Sequence, residues 1–253
     1  MNNENKKYYT CPECGAKTEM KYYGGTCPEC GYTAGAVPPP PPTELSIAYK
    51  QLGLLVLDSS GSMKCDNLEK IPKAAAVSKS VSEFFEKMQQ STIDNHFCFA
   101  IVNFNEEAYL MLDITETSDL DINAIYNPVP EHSKGTFLST GLIKANTVIE
   151  RFMKIKDDIT RSVVLIIMTD GMNMDEDSPE ALKVMKQLKG KYGDKLSVTA
   201  SYFDTMGFKY DDKMKIMDFL GQLVTAPENC VAITSGAELR DFFIRSCSKR
   251  DDK

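Results

Sequence analysis

The stretch that decides the fold is Gln51-Leu-Gly-Leu-Leu-Val-Leu57-Asp58-Ser-Ser-Gly-Ser62. Its first part is almost continuously apolar, which is typical of a strand that is buried on both faces of a parallel sheet. Its second part is polar and contains a glycine, which predicts a tight loop directly after the strand. Asp58 therefore stands at the tip of a buried strand, at the edge where open α/β sheets bind their ligands.

Outward from this stretch, apolar runs alternate with helical patterns. Further strands are predicted at Phe97–Phe104, Val163–Met168, Leu196–Phe203 and Cys230–Thr234, with an antiparallel edge strand at Ala108–Ile114. Helices are predicted at Pro72–Met88, Leu138–Phe152, Ser178–Gly190, Asp212–Leu223 and Ala237–Cys247. Ser178 is expected to cap its helix and Pro179 to be the first helical residue. The alternation indicates an α/β domain with a doubly wound, mostly parallel sheet covered by helices on both faces.

Three loops at the predicted carboxyl edge of this sheet carry oxygen ligands. The candidate ligands are Asp58, Ser60 and Ser62 in the first loop, Thr136 before the second helix, and Asp170 after the Val163–Met168 strand. Two carboxylates and three hydroxyls form an oxygen-only set, which suits a hard cation such as Mg²⁺ or Mn²⁺. Such a cation keeps several waters and leaves a coordination position free.

These motifs resemble the von Willebrand factor A (VWA) family and its metal-ion-dependent adhesion site (MIDAS). The family patterns D-x-S-x-S, G-T-x-L and T-D-G stand here as Asp58-Ser-Ser60-Gly-Ser62, Gly135-Thr136-Phe-Leu138 and Thr169-Asp170-Gly171. The resemblance covers about residues 48–248. It implies a Rossmann-like fold in which Asp58, Ser60 and Ser62 surround the metal. It also implies that Thr136 and Asp170 bind the metal directly or through water, and that a partner's carboxylate takes the open position.

Two matching cysteine knuckles stand near the N-terminus. They are Cys11-Pro-Glu-Cys14-Gly and Cys27-Pro-Glu-Cys30-Gly, with twelve residues between them. Four thiolates satisfy the tetrahedral preference of Zn²⁺, and so short a segment is too small to build an apolar core. We expect residues 1–35 to form a structural zinc ribbon. Rubredoxin-like iron and a redox dithiol pair are the alternatives.

A proline-rich segment separates the two parts of the chain. Residues 36–47 contain five consecutive prolines, Pro38–Pro42, which predict a semi-rigid polyproline spacer rather than a docking peptide. Residues 48–253 then form the predicted VWA domain. Of the cysteines in that domain, Cys98 and Cys230 fall in predicted strands and are expected to be buried thiols.

A narrower resemblance suggests a cellular role. The ribbon and the closing helix are similar to bacterial tellurium-resistance-type stress proteins of the VWA class. That resemblance implies a scaffold for intracellular stress-response signalling, with a kinase or phosphatase of the same system as partner. The alternatives are an adaptor subunit of an ATP-driven, chelatase-like machine and a zinc-ribbon protein that binds nucleic acid.

Apolar residues occur in the predicted metal loops where polar ones are usual. They are Met63, Phe137, Met172, Met174, Met206 and Phe208. Methionine-rich surfaces adapt to partners, so these side chains are expected to form an apolar rim around the cation. The alternative is that about half of them pack into the core instead. A protein partner would then present Asp or Glu flanked by hydrophobic residues.

Composition and motifs argue against several other classes of function. The net charge of −7 disfavours binding to a phosphate backbone, so nucleic acid is not expected. No apolar run approaches the roughly 20 residues that cross a bilayer, and the polar start lacks the core of a signal peptide, which predicts a cytoplasmic protein. Ser60 stands where a haloacid-dehalogenase phosphatase needs its second aspartate, and His96 and His132 have no triad context. We therefore expect no enzymatic activity.

Overall fold

The computed structural model describes residues 49–91, 96–133, 135–171, 173, 175–204 and 209–248, with the N-terminal segments 8–10, 15, 17–19 and 29. The chain divides into two compact units, Met1–Ile47 and Ala48–Lys253. In the first unit, strand β1 (Tyr8–Thr10) pairs antiparallel with β2 (Lys17–Glu19). The predicted zinc ligands Cys11, Cys14, Cys27 and Cys30 lie outside the described residues, so the ribbon stays a prediction.

The second unit alternates strands and helices. Its strands are β3 (Tyr49–Asp58), β4 (Phe97–Phe104), β5 (Ala108–Glu116), β6 (Thr160–Thr169), β7 (Leu196–Phe203) and β8 (Cys230–Ile233). Its α-helices are α1 (Lys73–Gln89), α2 (Leu138–Met153), α3 (Ser178–Tyr192), α4 (Tyr210–Leu223) and α5 (Gly236–Ser248). All were predicted, with ends within about three residues, because buried strands and amphipathic helices have distinct periods.

The strands form one six-stranded sheet in the order β5-β4-β3-β6-β7-β8. All pairings are parallel except that of β5, which lies antiparallel to β4 at the edge. Helices α2, α3 and α4 pack on one face, and α1 and α5 on the other. The predicted α/β architecture and its antiparallel edge strand are confirmed. Within the described ranges, no helix is both long enough and apolar enough to cross a membrane.

Strand β3 runs through the centre of this sheet. Alternate residues point to opposite faces, so Leu54 and Val56 join the cluster under α2 while Leu55 and Leu57 join the cluster under α1 and α5. A close approach of helix to sheet accompanies this packing, because a Cβ added at Gly141 of α2 would lie 3.0 Å from Cγ1 of Val56. Because β3 is packed on both faces, the position of Asp58 at its end is fixed relative to the sheet.

Two local predictions can be compared with the structure. Asp177, not Ser178, stands at the N-cap of α3, and its carbonyl accepts the first helical hydrogen bond, from Ala181 N–H at 2.9 Å. Ser178 is thus the first helical residue and Pro179 the second, one place later than predicted. Cys98 is buried as expected, whereas Cys230 is only half-buried because β8 is an edge strand.

Candidate metal centre

Asp58 ends β3 with its side chain completely buried. One carboxylate oxygen accepts Ser60 N–H at 2.8 Å, and the other accepts the hydroxyl of Thr169 at 2.6 Å. The backbone carbonyl of Asp58 accepts the side-chain amide of Asn127 at 3.0 Å. The carboxylate is therefore held in one orientation at the sheet edge. Thr169 and Asn127 were not identified from the sequence as supports of this site, because neither lies near Asp58 along the chain.

A chain of hydrogen bonds joins the first loop to the end of β6. The Ser60 and Ser62 hydroxyl oxygens are 3.0 Å apart, and Ser62 donates to Oδ1 of Asp170 at 2.8 Å. Ser60 and Asp170 are buried, whereas Ser62 is exposed, so the group meets solvent at Ser62. The structure thus brings four of the five predicted ligands into one connected group.

The fifth predicted ligand, Thr136, lies half-buried on the segment that leads into α2. On one side this segment touches the first loop, since a Cβ added at Gly61 would lie 2.7 Å from the carbonyl oxygen of Ser133. On the other side, Phe137 N–H donates to the carbonyl of Asn105 just beyond β4, at 2.9 Å. The segment therefore runs along the same edge as the Asp58 loop.

Two polar side chains tie the segment after β6 to the start of α2. Asn173 accepts Leu138 N–H through its side-chain oxygen at 2.9 Å. Asp177 accepts Ser139 N–H at 2.9 Å through one oxygen and the Ser139 hydroxyl through the other. These acceptors satisfy amides that a helix leaves unpaired in its first turn. The segment after Asp170 is thereby fastened to the helix that follows Thr136.

The electrostatics of the group are those of two closely spaced, buried acids. Burial, followed by the negative charge of Asp170, raises the pKa of Asp58 to about 7. Lys73, the first residue of α1, places its ammonium 2.5 Å from Oδ2 of Asp170, with both side chains buried. The two carboxylates, Asp58 and Asp170, repel each other at this short range, and their repulsion favours uptake of a cation between them.

The donor chemistry fits a hard divalent cation, because every candidate ligand is an oxygen. Among the described residues, no group of three or more His, Cys, Asp and Glu side chains could hold a metal ion. The candidate set has only two carboxylates, so hydroxyls would complete the shell. Asp58, Ser60, Ser62, Thr136 and Asp170 would hold the cation.

The predicted apolar rim is wrong at Met63. This residue is fully buried beneath α1, because the 3₁₀ turn Gly61–Lys64 directs its side chain inward. Phe137 is half-buried, with its ring against Gly135, and stays a candidate. The other four rim residues, Met172, Met174, Met206 and Phe208, lie outside the described part of the chain.

An apolar cavity that the sequence did not reveal adjoins the first loop. It has a volume of about 490 Å³, and its lining includes Met63 and Lys64 of the turn after that loop, together with Pro72, Ile125, Asn127 and Val129. Ile125 is 68% exposed, and Asn127 also holds the backbone of Asp58. The segment that contributes Ile125 and Val129 has no helical or strand period, so no pattern indicated an apolar surface there.

Comparison with known proteins agrees with this geometry. A family model described as the von Willebrand factor type A domain matches residues 54–242. The chain belongs to this family. The match to the VWA model begins within β3 and ends within α5, so it spans the sheet and all five helices of the second unit. No significant match is found among curated proteins.

Solved structures share the fold of this VWA domain. The pilus adhesin SpaC from Lactobacillus rhamnosus GG has a TM-score of 0.61 at 14% identity, covering 79% of this chain and 30% of that one. The vWF domain of the type V pili tip protein Mfa5 from Porphyromonas gingivalis has 0.59 at 13%, covering 82% and 99%. Proximal thread matrix protein 1 from the mussel byssus, with a zinc-occupied MIDAS motif, has 0.57 at 19%, covering 79% and 45%. The chain thus spans under a third of SpaC and under half of the mussel protein.

Proposed function

We propose that this protein is a non-enzymatic protein-interaction module whose VWA domain binds Mg²⁺ or Mn²⁺. The ligands would be Asp58, Ser60, Ser62, Thr136 and Asp170. The observation that carries the proposal is the hydrogen-bonded group in which Ser60, Ser62 and Asp170 meet at the ends of β3 and β6. Oxygen ligands of this kind, with few formal charges, suit a hard cation that keeps coordination positions for outside ligands.

A bound cation would supply a Lewis acid that accepts an Asp or Glu side chain of a protein partner. The chain's own residues orient and expose the site. Thr169 holds the carboxylate of Asp58, Asn127 holds its backbone, and Ser62 lies at the solvent-facing side of the group. The adjoining apolar cavity offers contact to hydrophobic residues beside the partner's acid.

The structural relatives support a role in binding. One is named a pilus adhesin, another a pilus tip protein, and the mussel matrix protein is described with zinc in its MIDAS motif. Because their identity to this chain is low, the comparison supports only the shared fold. The choice of cation and of partner is therefore proposed from the site itself.

For the N-terminal unit, we propose a structural Zn²⁺ bound by Cys11, Cys14, Cys27 and Cys30. The paired Cys-x-x-Cys spacing supports this assignment. From the resemblance of the cysteine knuckles and the closing helix to tellurium-resistance-type proteins, we infer a cytoplasmic stress-response or signalling scaffold of that type. A kinase or phosphatase that presents an acidic residue would be its partner.

The test is a Mg²⁺ titration by isothermal calorimetry of the full chain, with its zinc content measured separately. The test variant carries Asp58→Ala and Ser60→Ala, and Asp66→Asn, an exposed acid just beyond the same loop, is the matched control. We expect the double variant to lose Mg²⁺ binding and the control to keep it. Circular dichroism would confirm that both remain folded.

The same proteins serve as bait in a cell extract. Partners held by wild type in Mg²⁺ should be released by EDTA and absent from the double variant. Equal capture by the double variant, or equal Mg²⁺ affinity, would show that this edge of the sheet is not the metal-dependent binding site.

A further inference from the structure

Lys73 occupies an unfavourable position for a lysine. It is the first residue of α1, where the positive end of the helix dipole disfavours a cation. Its side chain is only 6% exposed, and burial of an ammonium group is costly unless an opposite charge compensates it. The compensating charge is the fully buried carboxylate of Asp170, 2.5 Å away. Neither the helix start nor the buried surroundings favour a lysine at this position. Its contact with Asp170, a predicted metal ligand, is therefore the observation to be explained.

Lys73 shares Asp170 with the predicted metal site. One oxygen of Asp170 accepts the hydroxyl of Ser62, and the other receives the ammonium of Lys73. A divalent cation bound by the Asp58 and Ser62 loop would therefore lie near a fixed positive charge. Two ionised carboxylates, one ammonium and a divalent cation give a local charge of +1, whereas the same site without the lysine would be neutral.

We propose that Lys73 sets the charge of this site: it weakens binding of the divalent cation and strengthens binding of a carboxylate to the cation-loaded site. The inference rests on the proposed function and adds a determinant of its specificity. Repulsion between Lys73 and the cation accounts for the first effect. The excess positive charge attracts an acidic partner and gives a neutral ligand no such gain, which accounts for the second effect.

The first measurement is the affinity of the full chain for Mn²⁺, by calorimetry. Lys73→Met and Lys73→Gln remove the charge, and the glutamine retains a donor for Asp170 in case the methionine variant does not fold. Lys73→Arg keeps the charge. Lys64→Met is the matched control, because Lys64 is a lysine at the end of the turn that follows the metal loop but donates to the carbonyl of Glu131 rather than to Asp170.

We expect the two neutral variants to bind Mn²⁺ at least about tenfold more tightly than wild type, and the arginine and Lys64 variants to stay within about twofold. If Lys73 served only to stabilise the fold, the neutral variants would have a lower melting temperature but would not bind Mn²⁺ more tightly. Unchanged or weaker Mn²⁺ binding in both neutral variants would overturn the inference and leave the proposed function standing. No Mn²⁺ binding by wild type would overturn both.

The second measurement uses acetate as the carboxylate probe, added to protein saturated with Mn²⁺ and followed by water-proton relaxation. We expect acetate to bind at least about threefold more weakly to the neutral variants than to wild type. Equal acetate affinity in wild type and neutral variants would refute the role of Lys73 in partner choice.

Discussion

Replacing Asp177 with alanine removes the acceptor that holds the start of α2 against the segment after β6. Asp177 is 5% exposed, and its two oxygens accept the N–H and the hydroxyl of Ser139, which is itself 6% exposed. The substitution therefore leaves two buried donors without their acceptor. Because Asp170 and Thr136 lie on the two segments that this contact joins, the change should also loosen the predicted metal site.

The expected cost follows from these contacts. A hydrogen bond to a charged group contributes about 1.5–3 kcal/mol, and a buried donor left unpaired costs about 1–3 kcal/mol. Allowing for entry of water to the new space, we expect Asp177→Ala to lower the free energy of unfolding by about 3 kcal/mol. For a chain of this size that corresponds to a fall in melting temperature of about 6–12 °C.

The assay is urea unfolding followed by far-ultraviolet circular dichroism, since the chain has no tryptophan to report by fluorescence. Asp175→Ala is the matched control, because Asp175 is exposed in the same turn and should change stability by less than about 0.5 kcal/mol. Asp177→Asn keeps one acceptor oxygen and should lose about half as much as the alanine variant. A loss below about 1 kcal/mol for Asp177→Ala, or one equal to that of the control, would refute the reasoning.

Three further predictions concern the metal loop and the buried thiol of Cys247. Gly61→Ala places a Cβ 2.7 Å from the carbonyl oxygen of Ser133, so it should displace the metal loop and lower the Mg²⁺ affinity measured by calorimetry. Gly190→Ala, where an added Cβ has nothing within 4 Å, is the control and should leave the affinity unchanged. Equal Mg²⁺ affinities of the two variants would refute the role of this close approach. Burial raises the pKa of Cys247 from its usual 9.0 to about 12, so at about pH 8 iodoacetamide should label the exposed Cys65 and spare Cys247, as peptide mass spectrometry would show. Labelling of both thiols at equal rates would refute the burial of Cys247. For the same reason the free energy of unfolding should fall above about pH 9, because the unfolded thiol loses a proton that the folded one keeps; a urea midpoint that stays the same between about pH 8 and pH 10 would refute this.

Most of the fold could be predicted from local pattern. Continuous apolar runs identified β3 and β6 as buried strands, and the polar residues after them identified the ligand-binding edge. The position of Ala108–Ile114 close behind β4 predicted an antiparallel edge strand, and β5 pairs antiparallel with β4. These inferences succeed because the periods of strands and helices and the turn preference of Asp, Ser and Gly are properties of short segments.

The sequence did not predict which neighbour certain side chains contact. Met63 looked like a rim residue because it follows the metal loop, but the 3₁₀ turn directs it into the core. Asp177 and Asn173 are ordinary capping types, yet they bind the amides of α2 rather than those of α3. No spacing along the chain distinguishes these outcomes.

The sequence by itself determined the alternating α/β architecture, the order of its elements and the three oxygen-bearing motifs at one edge of the sheet. Only the tertiary structure decided that Lys73 meets Asp170, that Thr169 and Asn127 hold Asp58, and that an apolar cavity adjoins the first loop. Lys73 and Asp170 are 97 residues apart along the chain, and Asp58 and Thr169 are 111 apart. Periodicity describes one element at a time. These contacts exist only after β3 and β6 have paired and α1 has packed across them. The charge of the site therefore depends on tertiary packing, through the contact of Lys73 with Asp170.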